Sequence, residues 1–331
     1  MRSRKRAATF PAPFQPDPSG PVNRVREQES TLSRVGGFLK SFQDRVCSAL
    51  ERQEDVARFV RDEIPREGGG LSRPRVLEDG AVVERAAVNF SHTRGNRLPA
   101  AATERRPELA GGQYESVSTS LIVHPRNPYA PTSHANFRFF QASKAGVETA
   151  WWFGGGFDLT PYYGFDEDVL HWHRVARDAC TPFGKDVYPE CKTACDAYFR
   201  LPHRDEARGI GGLFFDDYAH DGFERSFAFV RSAADAYFEA YMPLLERRKG
   251  SPYGERERQW QLLRRGRYVE FNLIYDRGTR FGLQAGARVE SLLASLPPQV
   301  RWEYEHRPEE GSEEARLLER FLRPRNWLEE T

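Results

Sequence analysis

Apolar residues recur at helical spacing from about Leu32 to Ile64: Phe38, Phe42, Val46 and Leu50, then Val56, Phe59 and Val60. That period predicts a helix with one buried stripe. Gly68 to Gly70 interrupts it, and Val76–Val83 reads as a hairpin turning at Asp79-Gly80. Alternation then takes over. In Gln113–His124, Val117, Thr119, Leu121 and Val123 share one side, while Ser116, Ser118, Ser120, Ile122 and His124 share the other. In His134–Gln141, His134, Asn136, Arg138 and Phe140 lie opposite Ala135, Phe137, Phe139 and Gln141. The link between these strands, rich in Pro and Asn, is a loop. Ala150–Phe157 follows, with a three-glycine centre. Helices are predicted from Asp166 to about Cys180, from near Pro189 to before Leu201-Pro202, over Phe223–Arg248, and over the charged stretch Gly254–Arg265. Gly211–Tyr218 reads as a strand. Tyr268–Asp276 gives the clearest alternation, Val269, Phe271, Leu273 and Tyr275 against Tyr268, Glu270, Asn272, Ile274 and Asp276. A short helix over Arg288–Leu296, stopped by Pro297-Pro298, and a strand over Val300–Tyr304 complete the pattern. Strands in hairpin-like succession with helices interspersed irregularly predict an α+β fold, an antiparallel sheet covered by helices.

Composition narrows the function more than the fold. The 331 residues carry 49 Lys and Arg against 48 Asp and Glu, a net charge of +1, which argues against a general nucleic-acid or membrane-surface binder. No apolar run reaches the roughly 18 residues of a membrane span. Residues 1–30 are basic and rich in Pro and Gly, and are expected to form a disordered tail, with an organellar targeting peptide as the alternative. Residues 31–331 show no internal linker and are expected to form a single domain. Cys47, Cys180, Cys191 and Cys195 form no CxxC pair, and are read as reduced thiols in a cytoplasmic protein.

Candidate chemistry lies on the strand faces. If the two alternating strands are neighbours, Ser120, His124, His134, Asn136 and Arg138 form one polar patch. Arg forks onto carboxylates, Asn and Ser add neutral donors, and His moves protons near neutral pH. A solvated sheet face is the competing reading. Tyr129, Trp151, Trp152, Phe153, Phe157, Tyr162 and Tyr163 would wall a pocket for a large flat ligand, or else form an aromatic core. His171 and His173 lie two apart on a helix, so at most one can face the patch. His124, His134, one of that pair and His203 would make a four-imidazole metal site, although no spacing requires it. Asp276, on the polar side of its predicted strand with Glu270 and Asn272, is a candidate proton acceptor or a surface salt-bridge partner. No GxSxG, Walker, HExxH or kinase motif is present.

The stretches SLIVHPRNPYAPTSHANFRFF, WWFGGGFDLTPYYGFDEDVLHWHRVARD, RGIGGLFFDD, YGERERQWQLLRRGRYVEFNLIYDRGT and ESLLASLPPQVRWEY resemble the oxygen-dependent coproporphyrinogen III oxidases. The resemblance runs from about residue 33 to the C-terminus. It implies a large flat antiparallel β-sheet sandwiched between α-helices on both faces, and a homodimer with an interface segment near 268–303. It also implies oxidative decarboxylation of two propionates of coproporphyrinogen III to vinyls, giving protoporphyrinogen IX, with O2 as co-substrate and no organic cofactor. Ser120, Asn136, Phe137, Arg138 and the run Gly286-Ala287-Arg288 match substrate-contacting positions. Bacterial relatives commonly have a second glycine where this chain has Ala287. Asp158, Arg208, Asp276 and Arg277 match positions implicated in substrate binding or catalysis, and His134 matches a proposed proton donor. His124, His134, His173 and His203 match positions assigned to a divalent metal in bacterial members, while members without a metal requirement are also described. A metal-dependent enzyme built on the histidines and a non-catalytic tetrapyrrole carrier are the alternatives.

Overall fold

A computed structural model of the chain describes residues 25–66, 69–98, 106–284 and 288–329. Among these, nine strands form one antiparallel sheet. They are β1 (Val60–Arg61), β2 (Ile64–Pro65), β3 (Gly70–Arg73), β4 (Arg75–Glu78), β5 (Val83–Gly95), β6 (Gln113–Pro125), β7 (Thr132–Lys144), β8 (Val147–Thr160) and β11 (Gly211–Tyr218). The order is β1-β4-β5-β6-β7-β8-β11, with β3 also on β5 and β2 on β3. β9 (Arg200–Leu201) and β10 (Glu206–Ala207) pair separately.

Period two makes the two faces of this sheet chemically different. The transverse row Val88, Leu121, Ala135, Phe157 and Leu213 is apolar across five strands. It faces a helical layer built from α1 (Val25–Glu51), α2 (Asp166–Cys180) and α4 (Gly222–Arg248). Phe42 of α1 meets Phe137 edge-on at 5.4 Å, Trp172 of α2 meets Phe157 at 5.0 Å, and Phe227 of α4 stacks on Phe153 at 5.9 Å. Full burial of such aromatic side chains is the main stabilising term on this face. The opposite face is covered by the end of α3 (Val187–Tyr198) and by α5 (Glu255–Ile274), α6 (Arg277–Gln284) and α7 (Val289–Leu293). Helices thus lie on both faces, the α+β architecture expected. No described helix is long and apolar enough to cross a membrane.

Four segments differ from their predicted form. The helix expected to reach Ile64 ends at Glu51; Val56 is 87% exposed, and Val60 and Ile64 lie in strands. The hairpin strand beginning at Val83 extends to Gly95, unpredicted because Ala86, Ala87 and Val88 are buried in succession without alternation. Tyr268–Asp276 is not a strand: residues through Ile274 continue α5. Tyr268, Val269, Phe271 and Asn272 are buried while Leu273 and Ile274 are half exposed, a helical set that coincides with alternation at Val269 and Phe271. Glu270 and Asn272, expected on one side, therefore point in different directions. Val300–Tyr304 is also not a strand; Arg301 N–H donates to Leu262 O at 2.9 Å, and Trp302 and Tyr304 are exposed.

Candidate functional site

Beside the apolar row runs its polar counterpart, Asn89, Ser120, Asn136, Gly156 and Phe214 on successive strands. The flanking rows place Arg138 opposite Ser118 and Gly154, and His134 opposite Ile122 and Asp158. The glycines keep this floor bare. A Cβ at Gly154 would stand 2.7 Å from the Arg138 guanidinium, so the arginine lies flat only because that position has no side chain. A Cβ at Gly156, where φ is +138°, would stand 1.9 Å from the carbonyl oxygen of Leu213.

Two charged groups stand on the floor. In the first, His134 Nδ1 lies 2.8 Å from Asp158 Oδ1, and Arg208 Nη2 lies 2.8 Å from each Asp158 oxygen. Arg208 Nη1 donates to Asn272 Oδ1 at 3.1 Å, and the guanidinium packs over Phe199 and Phe271 at 4.1 and 4.7 Å. Burial pushes the Asp158 pKa up, but Arg208 and His134 outweigh it and hold the carboxyl below its ordinary value. An ionised Asp158 makes Nδ1 of His134 the donor, which leaves Nε2 to exchange a proton with a ligand. The second group centres on Asp216, which pairs with Arg138 and, at 3.3 Å, with Arg277. Two guanidinium forks share one carboxylate, so each retains N–H donors for another anion. The Arg277 guanidinium lies 4.8 Å over Tyr198, whose ring stacks on Phe214 at 4.4 Å. Tyr198 O–H donates to Asp276 Oδ1 at 2.8 Å, and Asp276 Oδ2 accepts from Thr279 N and Oγ1 at 2.7 and 2.8 Å. Asp276 thus caps α6. Burial raises its pKa, and the Tyr198 and Thr279 hydrogen bonds outweigh that and keep it low.

A model of the coproporphyrinogen III oxidase family matches residues 34–327. The chain belongs to this family. Coproporphyrinogen III oxidases are oxidoreductases that carry out an oxidative decarboxylation in heme biosynthesis, without an organic cofactor.

For a coproporphyrinogen III oxidase, several expected site residues fall elsewhere. Phe137 is fully buried on the apolar face against Phe42, so its side chain points away from the polar row. Arg208 is 3% exposed and its fork is filled by Asp158 and Asn272, so it orients Asp158. Arg288 is exposed and near Glu290 and Asp62, at 3.3 and 3.9 Å. Gly286 and Ala287 lie outside the described residues. Most of the expected aromatic wall is core: Phe153 and Phe157 belong to the apolar face, Trp151 packs on Phe223, Tyr162 is buried, and Tyr163 is buried beside Tyr129. Trp152 alone of that set stacks on a polar-face residue, Phe140. The aromatics beside the charged groups are instead Tyr198, Phe199, Phe214, Tyr268 and Phe271.

The four histidines are not brought together as a metal site. His124 bonds Thr132 Oγ1 and Ser295 O through its two ring nitrogens, at 3.1 and 2.9 Å. His173 bonds Tyr188 Oη and Ile210 O, both at 3.0 Å. Burial pushes both imidazoles down to about 3, so each is neutral and committed to protein partners. His203 sits between Glu270 and Tyr275, 2.9 Å from each, and His134 is held by Asp158. Among the described residues no group of three or more His, Cys, Asp or Glu is placed to hold a metal. His171 and His173 diverge as helical geometry requires, His171 bonding Glu239 O instead.

Asn89, Tyr198 and Asp216 were not apparent from sequence. Asn89 lies in the unrecognised strand. Asp216 shares parity with Phe214, but which strand it faces depends on the register.

Proposed function

We propose that coproporphyrinogen III binds on the polar face of the sheet, beneath residues 276–284 and 288–296, and that two of its propionates are converted to vinyls with O2 as the acceptor. The observation that carries this reading is the joining, on one glycine floor, of the Arg138–Asp216–Arg277 cluster with the His134–Asp158–Arg208 cluster. The substrate presents four carboxylates around a broad apolar ring, which calls for guanidinium forks beside aromatic rings. The buried Oδ1 atoms of Asn89 and Asn136 have no hydrogen-bond partner, and acceptors left unpaired on this floor fit a ligand rich in N–H donors.

In this reading Arg138 and Arg277 hold propionates, with Ser120 and Asn136 extending the site from Arg138 towards β6 and Arg288 at the rim. Asp276 supplies negative charge to the pyrrole N–H groups, raising the electron density of the ring. His134, oriented by Asp158, moves the proton. Each turnover breaks the bond from the propionate α-carbon to its carboxyl, releasing CO2, and removes a hydrogen with its electron pair from the β-carbon. The electron pair and two protons reduce O2 to hydrogen peroxide, giving protoporphyrinogen IX after two rounds. The protein contributes orientation, charge stabilisation and proton transfer.

The proposed setting is a cytoplasmic homodimer of one domain per chain. Cys47, Cys180, Cys191 and Cys195 are free thiols, in keeping with a reducing compartment. Leu273, Ile274, Leu283, Val289, Leu293 and Trp302 expose apolar surface within the segment near 268–303. Parallel aerobic and anaerobic assays with coproporphyrinogen III, following protoporphyrin fluorescence after oxidation, test the function. Product is expected only with O2. Equal anaerobic turnover would refute O2 dependence, and binding without product would leave a carrier.

A further inference from the structure

Arg85, Asn89 and His124 project from β5 and β6 onto the polar face, Arg85 opposite His124 and Asn89 opposite Ser120. All three donate to main-chain carbonyls of one segment. Asn89 Nδ2 reaches Ser291 O at 2.9 Å, His124 Nε2 reaches Ser295 O at 2.9 Å, and Arg85 Nη1 reaches Leu296 O at 3.2 Å. A carbonyl oxygen only accepts, so these contacts fix the side-chain states. Rotating the Asn89 amide would set oxygen against oxygen. In a neutral His124, a proton on Nε2 makes Nδ1 the acceptor of the Thr132 hydroxyl. Thr132 Oγ1 then accepts from Tyr162 O–H at 2.5 Å, and Tyr162 Oη accepts from Arg265 Nε at 3.4 Å. The chain from Arg265 to Ser295 has one consistent direction and leaves neither ring nitrogen of His124 free.

Asp276 and Arg277, at the start of α6, are held separately by Tyr198 and Asp216. Arg85 and Asn89 on β5 and His124 on β6 lie on one side of Asn136 and Arg138 on β7, and Asp216 on β11 lies on the other. We propose that Arg85, Asn89 and His124 are positioning residues that dock residues 288–296 over the polar face and so fix where that segment lies above the proposed substrate site, His124 serving as a donor to backbone and not as a metal ligand. This rests on the functional reading above.

The test uses the full chain with His124→Ala, His124→Gln and Asn89→Asp, the last keeping the shape of asparagine without its N–H. Losing one donor should raise KM for coproporphyrinogen III about tenfold, and in His124→Ala, where both ring nitrogens are held by protein partners, kcat should stay within about twofold. His124→Gln, whose amide can still donate, should recover most of the loss. Amide hydrogen exchange in residues 290–296 should quicken in His124→Ala and Asn89→Asp, with residues 117–123 unchanged, a difference that general destabilisation would not give. Wild-type KM and exchange in both would overturn the proposal, as would a fall in kcat accompanied by loss of bound metal in His124→Ala. If the wild-type chain fails to turn over the substrate, the functional reading falls instead, and the exchange measurement still decides the docking.

Discussion

The row Val88, Leu121, Ala135, Phe157, Leu213 and the row Asn89, Ser120, Asn136, Gly156, Phe214 are adjacent in the same strands and share one register. The first is closed by aromatic packing against α1, α2 and α4. The second holds Asn89, whose amide donates to Ser291 of α7, and leaves buried acceptors on Asn89 and Asn136 unpaired. Folding alone explains the first row, because each member loses water and gains contacts. It does not explain the second, where unpaired acceptors and glycines both cost stability. The substrate proposed for this face would supply the missing donors.

The sharpest way to break this contrast is to damage each face in turn. Phe157→Ala and Arg208→Met should each lose about 3–5 kcal/mol in denaturant unfolding, the first through a cavity and the second by stranding Asp158 at 1% exposure. Their pH dependence separates them. The folded pKa of Asp158 lies below its unfolded value, so its stabilisation is present above about 4 and is lost as pH falls through the folded value. Removing Arg208 lets burial raise that pKa, so the Arg208→Met deficit should narrow on acidification while the Phe157→Ala deficit stays. Parallel deficits across the acid range would mean that the polar cluster is ordinary packing.

Arg138→Ala should lower kcat/KM about a hundredfold, with Arg138→Lys recovering only part because ammonium lacks the fork. Its stability loss should be well below that of Phe157→Ala; the reverse ranking would make Arg138 a structural residue. The smallest effect is expected at Gly154→Ala. The added methyl meets the flexible end of Arg138, so folding should persist by circular dichroism while kcat/KM falls about tenfold. An unchanged kcat/KM would show that Arg138 need not lie flat.

The parts legible in sequence were those with a local cause. Alternation put Ser120 and His124 on one side of β6, and His134, Asn136 and Arg138 on one side of β7 with Phe137 on the other, while the register of Ser120 opposite Asn136 joined the two sets. The motif resemblance then pointed to that side as the site. The misreading of Tyr268–Asp276 shows the limit: Val269 and Phe271 fit both periods, and only burial of Tyr268 and Asn272 against the sheet separates them. Asp276 accordingly became a helix cap instead of the end of a strand. The aromatic wall failed for a related reason, since Phe153 and Phe157 are equally apolar on either face and parity in β8 decides which they occupy.

What the chain alone determined was local periodicity, the face of each strand and the residue types at hand, because backbone geometry ties these to neighbours along the sequence. The tertiary structure decided which distant groups meet: Arg208 fills Asp158, Asp216 joins Arg138 to Arg277, and His124 and His173 turn to separate carbonyls. Those pairings follow from strand register and helix docking, in which many small packing terms across the whole fold place one side chain within hydrogen-bonding reach of another.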